Sequence, residues 1–342
     1  MPELRQNPVN KHWVIIAEER AKRPKDIIKP TATTDDPDSN SKKPCPFDEG
    51  KETETPPEVL AYSNNPDRAP NTGGWIVRMF PNKYPTFEPS QTFHLEHRGI
   101  YSFAKASGSH EIVTTRDHHV PFALLPEEDI FLMFKANKER MLYYKNLPYV
   151  TYTLLFCNQG KESGASFSHP HTQFVALPVI SSYVSQELIN EQEYIAKHAT
   201  CGHCAMIAEE IKEKKRVISQ NNSFISFAPF AARDPFEIVI YPLSHASRFE
   251  ESTDEQLRDL ASVLKDALYR LYEKLQNPSF NYYVHTAPHN SGDYSYSHWH
   301  LKILPRLSLR AGFELATGIV VNVVSPESAA EFLRGKEGAS GA

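Results

Sequence analysis

Residues 168–173 read SHPHTQ and residues 297–302 read SHWHLK, so each place sets two histidines two residues apart. In the first stretch Pro170 pushes His169 away from helical backbone. In an extended segment residues i and i+2 face the same side. His169 and His171 therefore point one way. A single pair of this kind could be two surface histidines in a loop. Its recurrence in the second half of the chain says more.

Working outward, the two halves repeat the same order. A strand ending in histidine comes first: HEIVTTRDH to His118, and FEIVIYPLSH to His245. A long helix follows in each half. The first begins at LPEED, with Ile130, Phe131, Phe134 and Met141 at helical spacing. The second begins at STDEQ, with Ser252 or Thr253 as cap and acidic residues in its first turn. Next comes an aromatic-rich strand, YVTYTLLFCNQG or FNYYVHTAPHN, then a polar loop, then the His-x-His pair. Fifty-one residues separate His118 from His169, and 53 separate His245 from His298. Each half also opens with two potential ligands three apart, Cys45/Asp48 and Cys201/Cys204. Agreement in order, type and spacing is the mark of a duplication. The expected fold is α+β: two tandem halves, each an antiparallel sheet with a packed helix. The halves span 1–180 and 181–334, followed by a tail, 335–342, not expected to be ordered. The polar stretch 29–44, KPTATTDDPDSNSKKP, reads as a loop.

Two ligands on a turn plus two distant histidines match a closed tetrahedral zinc site. Cys201, Cys204, His245 and His298 form one such set, and two thiolates with two imidazoles suit zinc. Cys45, Asp48, His118 and His169 form the parallel set, with a carboxylate in place of the second thiolate. His119 is an alternative to His118. His203, inside the C-G-H-C turn, reads as a spacer. If His169 holds a metal, it anchors the strand, and His171 is presented beside it as a positioned reactive group.

Composition bounds the rest. The chain has 342 residues, 40% hydrophobic and 23% charged, with net charge −5. That is no footprint for nucleic acid. No 18-residue apolar run suggests a membrane span, and MPELRQNPVNKHWVII lacks the apolar core of a secretory signal. Four cysteines in this pattern suit metal ligation in a reducing compartment rather than a disulfide framework. A cytoplasmic location is expected.

Taken together, RQNPVNKHWVIIAEERAKRP (5–24), FPNKYP (80–85), NQGKESGASFSHPHTQ (158–173), HWHLKILP and GFELATG resemble the galactose-1-phosphate uridylyltransferase family and its nucleotidyltransferase relatives in the histidine triad superfamily. The resemblance covers nearly the whole chain. It implies double displacement on a nucleotide sugar. His171 attacks the α-phosphorus of UDP-glucose, giving a covalent uridylyl-histidine, and a hexose 1-phosphate such as galactose 1-phosphate then accepts the UMP group. Neutral imidazole is a competent nucleophile near pH 7. The resemblance makes Gln173 a donor to a nonbridging phosphoryl oxygen and Ser166 a phosphate contact. It assigns Arg20, Arg23, Asn82, Asn158, Gly160 and Glu314 to substrate binding. It also implies a homodimer, whose active site could draw residues from both subunits. His285 matches a metal position in some members, although Cys201 and Cys204 make the thiolate set preferable. His300 corresponds internally to His171, but Lys302 replaces the glutamine, so the second half reads as a structural copy.

Near its C-terminal end the chain departs from the uridylyltransferases. IVVNVV lacks their glutamine, and FE-x-x-TG looks more like the branch that includes ADP-glucose phosphorylase, in which inorganic phosphate accepts AMP. The threonine of HPHTQ stands where the uridylyltransferases commonly have glycine. An adenylyl-transferring phosphorylase is thus the alternative. A non-catalytic zinc and nucleotide-binding protein, in which His171 would be dispensable, is a third reading.

Overall fold

The computed structural model describes residues 1–22, 45–89 and 92–335. Arg23, the stretch 29–44 and residues 336–342 of the tail lie outside the described residues. Strands β1 (Glu3–Gln6) and β2 (Trp13–Ile16) open the chain. Strands β3 (Leu60–Tyr62) and β4 (Val77–Pro81) follow, then a small hairpin of β5 (Glu96–Arg98) and β6 (Tyr101–Phe103). The first copy of the repeat is β7 (Ser109–Thr115), α1 (Glu127–Tyr144), β8 (Tyr152–Gln159) and β9 (His171–Leu177). Helices α2 (Ser182–His198) and α3 (Gly202–Glu213) lead to β10 (Val217–Gln220) and β11 (Phe224–Phe227). The second copy is β12 (Ile238–Pro242), α4 (Asp254–Leu275), β13 (Phe280–His285) and β14 (His300–Pro305). Helix α5 (Gly312–Thr317), β15 (Val320–Asn322) and α6 (Pro326–Arg334) end the description.

The α+β class and the antiparallel pairing are as expected, but the two sheets are one. Ten strands run in the order β10-β11-β12-β14-β13-β8-β9-β7-β4-β3. Read outward from the β13–β8 seam, both halves give the same succession, so the duplication becomes an approximate twofold relation about that seam. The seam pairs Phe280 with Gln159 and Tyr283 with Phe156. Left apart, β8 and β13 would each present an open edge of unpaired backbone groups. Pairing them removes both edges.

Helices α1 and α4 lie side by side over one face of this sheet. Helix α4 buries Leu257, Leu260, Ala261, Leu264, Leu268 and Leu271, an apolar stripe at helical spacing. Of the two possible caps, Thr253 serves: its hydroxyl accepts from Gln256 N–H, and the Gln256 side chain accepts from Thr253 N–H in return. Helix α1 turns Ile130, Phe131, Phe134 and Met141 inward. Asn137, buried in the same helix, donates to the Met133 carbonyl at 2.8 Å, which satisfies its NH2 while its Oδ1 is left without a partner among the described residues.

Strand alternation then decides what the opposite face displays. Phe174 and Ala176 of β9 enter the core beneath the helices, so His171 and Gln173 emerge on the other side. Leu301 and Ile303 of β14 do the same for His300 and Lys302. Only the second half has its outer face closed over by α2, α3 and the N-terminal segment. Tyr183, Glu187, His203 and His12 close a cavity of about 60 Å³ above Lys302. A three-stranded sheet, β1-β2-β15, packs at this end, with β2 and β15 parallel. The sequence reading did not foresee α2, α3 or this small sheet.

Candidate functional site

The first cluster forms where β7 and β9 meet the 45–48 turn. His169 is fully buried, and its Nε2–H donates to the Thr115 carbonyl at 2.7 Å. That bond fixes the tautomer and leaves Nδ1 as the lone-pair nitrogen, the usual arrangement of a metal-binding histidine. Nδ1 faces Asp48 Oδ1 at 3.4 Å and Cys45 Sγ at 3.8 Å. His118 Nδ1 lies 2.6 Å from Asp48 Oδ1. The turn shapes itself: Asp48 N–H donates to the Cys45 carbonyl, and Phe47 N–H to the Cys45 sulfur. Ligand atoms of Cys45, Asp48, His118 and His169 all fall within 4.8 Å of one another. His119 instead stacks on the His118 ring.

The second cluster repeats the design. His298 Nε2–H donates to the Pro242 carbonyl at 3.1 Å, and His245 Nε2–H to the Ser295 carbonyl at 2.8 Å. Both Nδ1 atoms lie 3.4 Å from Cys204 Sγ. Cys201 caps α3 and Cys204 sits in its first turn. The hydrogen bond from Cys204 pulls the Cys201 thiol well below its ordinary value, and His298 adds to the effect.

Zinc geometry offers a direct test of fit. Tetrahedral bonds of about 2.3 Å to sulfur and about 2.0 Å to nitrogen or oxygen place neighbouring S and N about 3.5 Å apart, and O and N about 3.3 Å apart. The second cluster has this spacing at both pairs that Cys204 makes with a histidine. The first has it between Asp48 and His169, while His118 and Asp48 sit at hydrogen-bond distance. Both donor sets fit zinc, the second more closely. His285 stays out of the second cluster; its ring stacks on His300 and its Nδ1 faces Glu187 at 3.4 Å. His203 is a spacer with its own partners, Glu191 at 2.7 Å and Tyr241 at 3.0 Å.

His171 is 5% exposed. Its Nδ1–H donates 2.8 Å to the carbonyl of His169, the residue whose ring belongs to the first cluster. The bond orients the imidazole and leaves the Nε2 lone pair on the outer face. Burial pushes its pKa down, which keeps the ring neutral. Phe47 packs edge-on against it at 5.5 Å. In the second half His300 Nδ1–H makes the same bond to the His298 carbonyl, at 3.0 Å. The half-copies thus agree down to a side-chain hydrogen bond and differ in what surrounds the ring.

Gln173 lies on the same face as His171, and its Oε1 accepts from His110 Nε2–H at 2.8 Å. Asn158 is on the neighbouring β8, where its Oδ1 accepts from Asn281 across the seam. Gly160 has φ +82°, and an added Cβ would come within 2.2 Å of Ser279 Oγ, so only glycine fits there. Ser166 is exposed on the loop between β8 and β9. Asn82 follows β4; its N–H donates to the His110 carbonyl at 2.8 Å, and its Oδ1 accepts from Tyr84 N–H. The fold therefore gathers His171, Gln173, Asn158, Gly160 and Asn82 around one face. Arg20 and Glu314 lie elsewhere, at the β1-β2-β15 end. Arg20 is exposed just after β2, and Glu314 caps α5 by accepting from Ala311 N–H. Sequence reasoning missed His110, because nothing in its local pattern distinguishes it; strand register alone brings it to Gln173.

A ten-stranded antiparallel sheet with two helices on one face and paired His-x-His strands on the other is the fold of the uridylyltransferase-like proteins. The comparisons are specific. The DUF4921 family model, a domain of unknown function, matches residues 76–334. The ADP-glucose phosphorylase of Arabidopsis thaliana is 35% identical over 97% of this chain and 92% of its own. The galactose-1-phosphate uridylyltransferase of Thermotoga maritima is 29% identical over 98% and 99%. A crystal structure of the Arabidopsis ADP-glucose phosphorylase with bound ADP-glucose superposes with a TM-score of 0.80 at 33% identity, covering 98% of this chain and 99% of that one. A uridylyltransferase structure does so at 0.72 and 28%, covering 98% and 97%. The chain belongs to the galactose-1-phosphate uridylyltransferase-like family, whose members are nucleotidyltransferases and phosphorylases. Among the described residues no helix is long and apolar enough to cross a membrane.

Proposed function

We propose that this chain transfers a nucleoside monophosphate through a covalent nucleotidyl-histidine at His171. The observation that carries the reading is the Nδ1–H bond to the His169 carbonyl, which leaves Nε2 as a fixed lone pair on the outer strand face. In the first half-reaction Nε2 attacks the α-phosphorus of a nucleoside diphosphate hexose. The Nε2–P bond forms, the bond from phosphorus to the bridging oxygen breaks, and hexose 1-phosphate leaves with its electron pair. In the second, a phosphate oxygen of the acceptor attacks the same phosphorus and frees His171. Charge gathers on the nonbridging oxygens in both steps, so donors already in place count most. Gln173 supplies one from its NH2, Ser166 and Asn158 line the same approach, and Gly160 lets backbone come close. Zinc in the two clusters would hold the strands that carry His169 and His298, with no part in the phosphorus chemistry. Residues 1–180 would carry the reaction and 181–334 the structural copy.

The donor we favour is ADP-glucose, with inorganic phosphate as acceptor and ADP and glucose 1-phosphate as products. The Arabidopsis ADP-glucose phosphorylase has the higher identity and TM-score of the two relatives named, and IVVNVV lacks the uridylyltransferase glutamine. Exchange of UMP between UDP-glucose and galactose 1-phosphate is the second reading, supported by full-length similarity to uridylyltransferases. Arg20 and Glu314 would then serve the His171 site of a second copy in a homodimer. Intact-protein mass spectrometry after incubation with ADP-glucose or UDP-glucose alone decides the donor. An adenylyl increase lost in His171→Ala supports the first reading, and a uridylyl increase the second. With no adduct from either, the zinc-protein reading replaces both.

A further inference from the structure

Beside Gln173 lies a buried histidine to which the proposed reaction gives no role. His110 is 8% exposed and sits on β7, next to β9. Its Nδ1 lies 3.2 Å from the backbone N–H of Thr86. A backbone amide can only donate, so Nδ1 carries the lone pair and the ring proton sits on Nε2. Nε2–H in turn reaches Gln173 Oε1 at 2.8 Å. The chain of donors has one direction: Thr86 N–H to His110, then His110 to the Gln173 carbonyl oxygen.

The consequence falls on the far end of the glutamine. A side-chain amide has an acceptor face and a donor face of nearly the same shape, and either can point outward. Toward a phosphoryl group the two are opposite in effect, since the NH2 stabilises developing negative charge and the oxygen repels it. With its oxygen held by His110, Gln173 presents NH2. The 82–86 turn holds the ring in place as well, because Asn82 N–H donates to the His110 carbonyl and Asn82 Nδ2–H, a donor, lies 3.5 Å from the Nδ1 lone pair.

We propose that His110 is a positioning residue that sets the orientation of the Gln173 amide and couples it to the 82–86 turn. His110 touches no reacting atom. The inference rests on the reading of His171 as the covalent acceptor. The second half lacks the counterpart at Gln173: Lys302 holds that place, with its ammonium 3.6 Å from Glu187.

The test is the single-turnover rate of His171 adduct formation, using whichever of ADP-glucose and UDP-glucose labels the parent protein. His110→Phe keeps a ring and removes both nitrogens. It is expected to slow labelling about 10- to 100-fold at saturating donor, with the half-saturating donor concentration little changed. His110→Gln, whose amide can donate near the Nε2 position, is expected to recover part of the rate. In a Gln173→Ala background His110→Phe should cost nothing further, since a residue that acts through Gln173 has nothing left to orient. Losses that multiply in the double variant, or an unchanged rate in His110→Phe, would overturn the inference alone. If His110→Phe does not fold, His110→Asn carries the test: its shorter side chain cannot reach Gln173, so the same slowing is expected and a parental rate overturns the proposal. No adduct in the parent with either donor removes the reading of His171 and this inference with it.

Discussion

Cys204→Ala is the substitution that tests the second cluster most directly. Its sulfur lies 3.4 Å from Nδ1 of both His245 and His298. That is already the separation a tetrahedral zinc ion imposes, about 3.5 Å, so no rearrangement within the site offsets its loss. Structural zinc held by four ligands is worth about 10–16 kcal/mol, or about 3 kcal/mol for each ligand if shared evenly. At about 1.4 kcal/mol per factor of ten, affinity at this cluster should fall about a hundredfold. The assay is zinc content after dialysis, followed by competition with a chromophoric chelator. The parent should load both clusters, and Cys204→Ala should surrender the ion of one at roughly a hundredfold lower chelator concentration. Cys157→Ala is the control. Cys157 is buried in the core beneath β9 and belongs to neither cluster, so both ions should remain. Labelling at His171 should continue in Cys204→Ala, because that residue lies across the β13–β8 seam. Parental zinc affinity in Cys204→Ala, or loss of an ion in Cys157→Ala, would refute the assignment.

Gln173→Glu should label more slowly than Gln173→Ala in the same single-turnover assay. Alanine only removes a donor, at about 100- to 1000-fold in rate, whereas a carboxylate adds repulsion worth up to about 4 kcal/mol at 4 Å; equal rates would count against Gln173 facing the phosphate. His171→Ala should lose all labelling yet keep its metal content, and loss of zinc with this change would mean that His171 is itself a ligand. Glu58→Gln tests stability rather than chemistry. The Glu58 carboxylate accepts two bonds from Arg68 and one from Arg78, and all three side chains are buried. Breaking such a set from one side costs about 3–5 kcal/mol, measurable by denaturant unfolding at pH 7. Burial pushes the Glu58 carboxyl up, but the hydrogen bonds from Arg68 and Arg78 outweigh it and hold the group below its ordinary value near 4.5. A depressed carboxyl contributes stability above that value and loses it as pH falls through the folded value. The penalty of Glu58→Gln should therefore shrink below about pH 4.5, and a penalty constant down to pH 3 would contradict the ion-pair account.

Much of this protein was written locally. The helical spacing of Ile130, Phe131, Phe134 and Met141, the cap at Thr253, and the strands before and after each long helix are properties of short windows, so period and capping chemistry reveal them. The duplicated ligand order was also legible, because metal ligands are rare residue types and their spacing survives as a pattern. From that order came both four-residue clusters and the presentation of His171 beside His169. Contacts between distant segments were not legible. Nothing in YTLLFCNQ or FNYYVH says that β8 and β13 pair with each other; the cost of two open edges decides that, and it exists only once both half-sheets have formed. The same holds for the helices α2 and α3 that close over Lys302 and leave the second histidine pair enclosed. It holds again for His110, one histidine among 15, which acquires a partner only because β7–β9 register brings it to Gln173 while the 82–86 turn fixes its proton. The sequence by itself determined which groups could do chemistry and which strands carry them. Tertiary structure decided which face they share, which way each hydrogen bond runs and which of the two copies α2 and α3 cover, because those depend on pairing and burial between residues far apart in the chain.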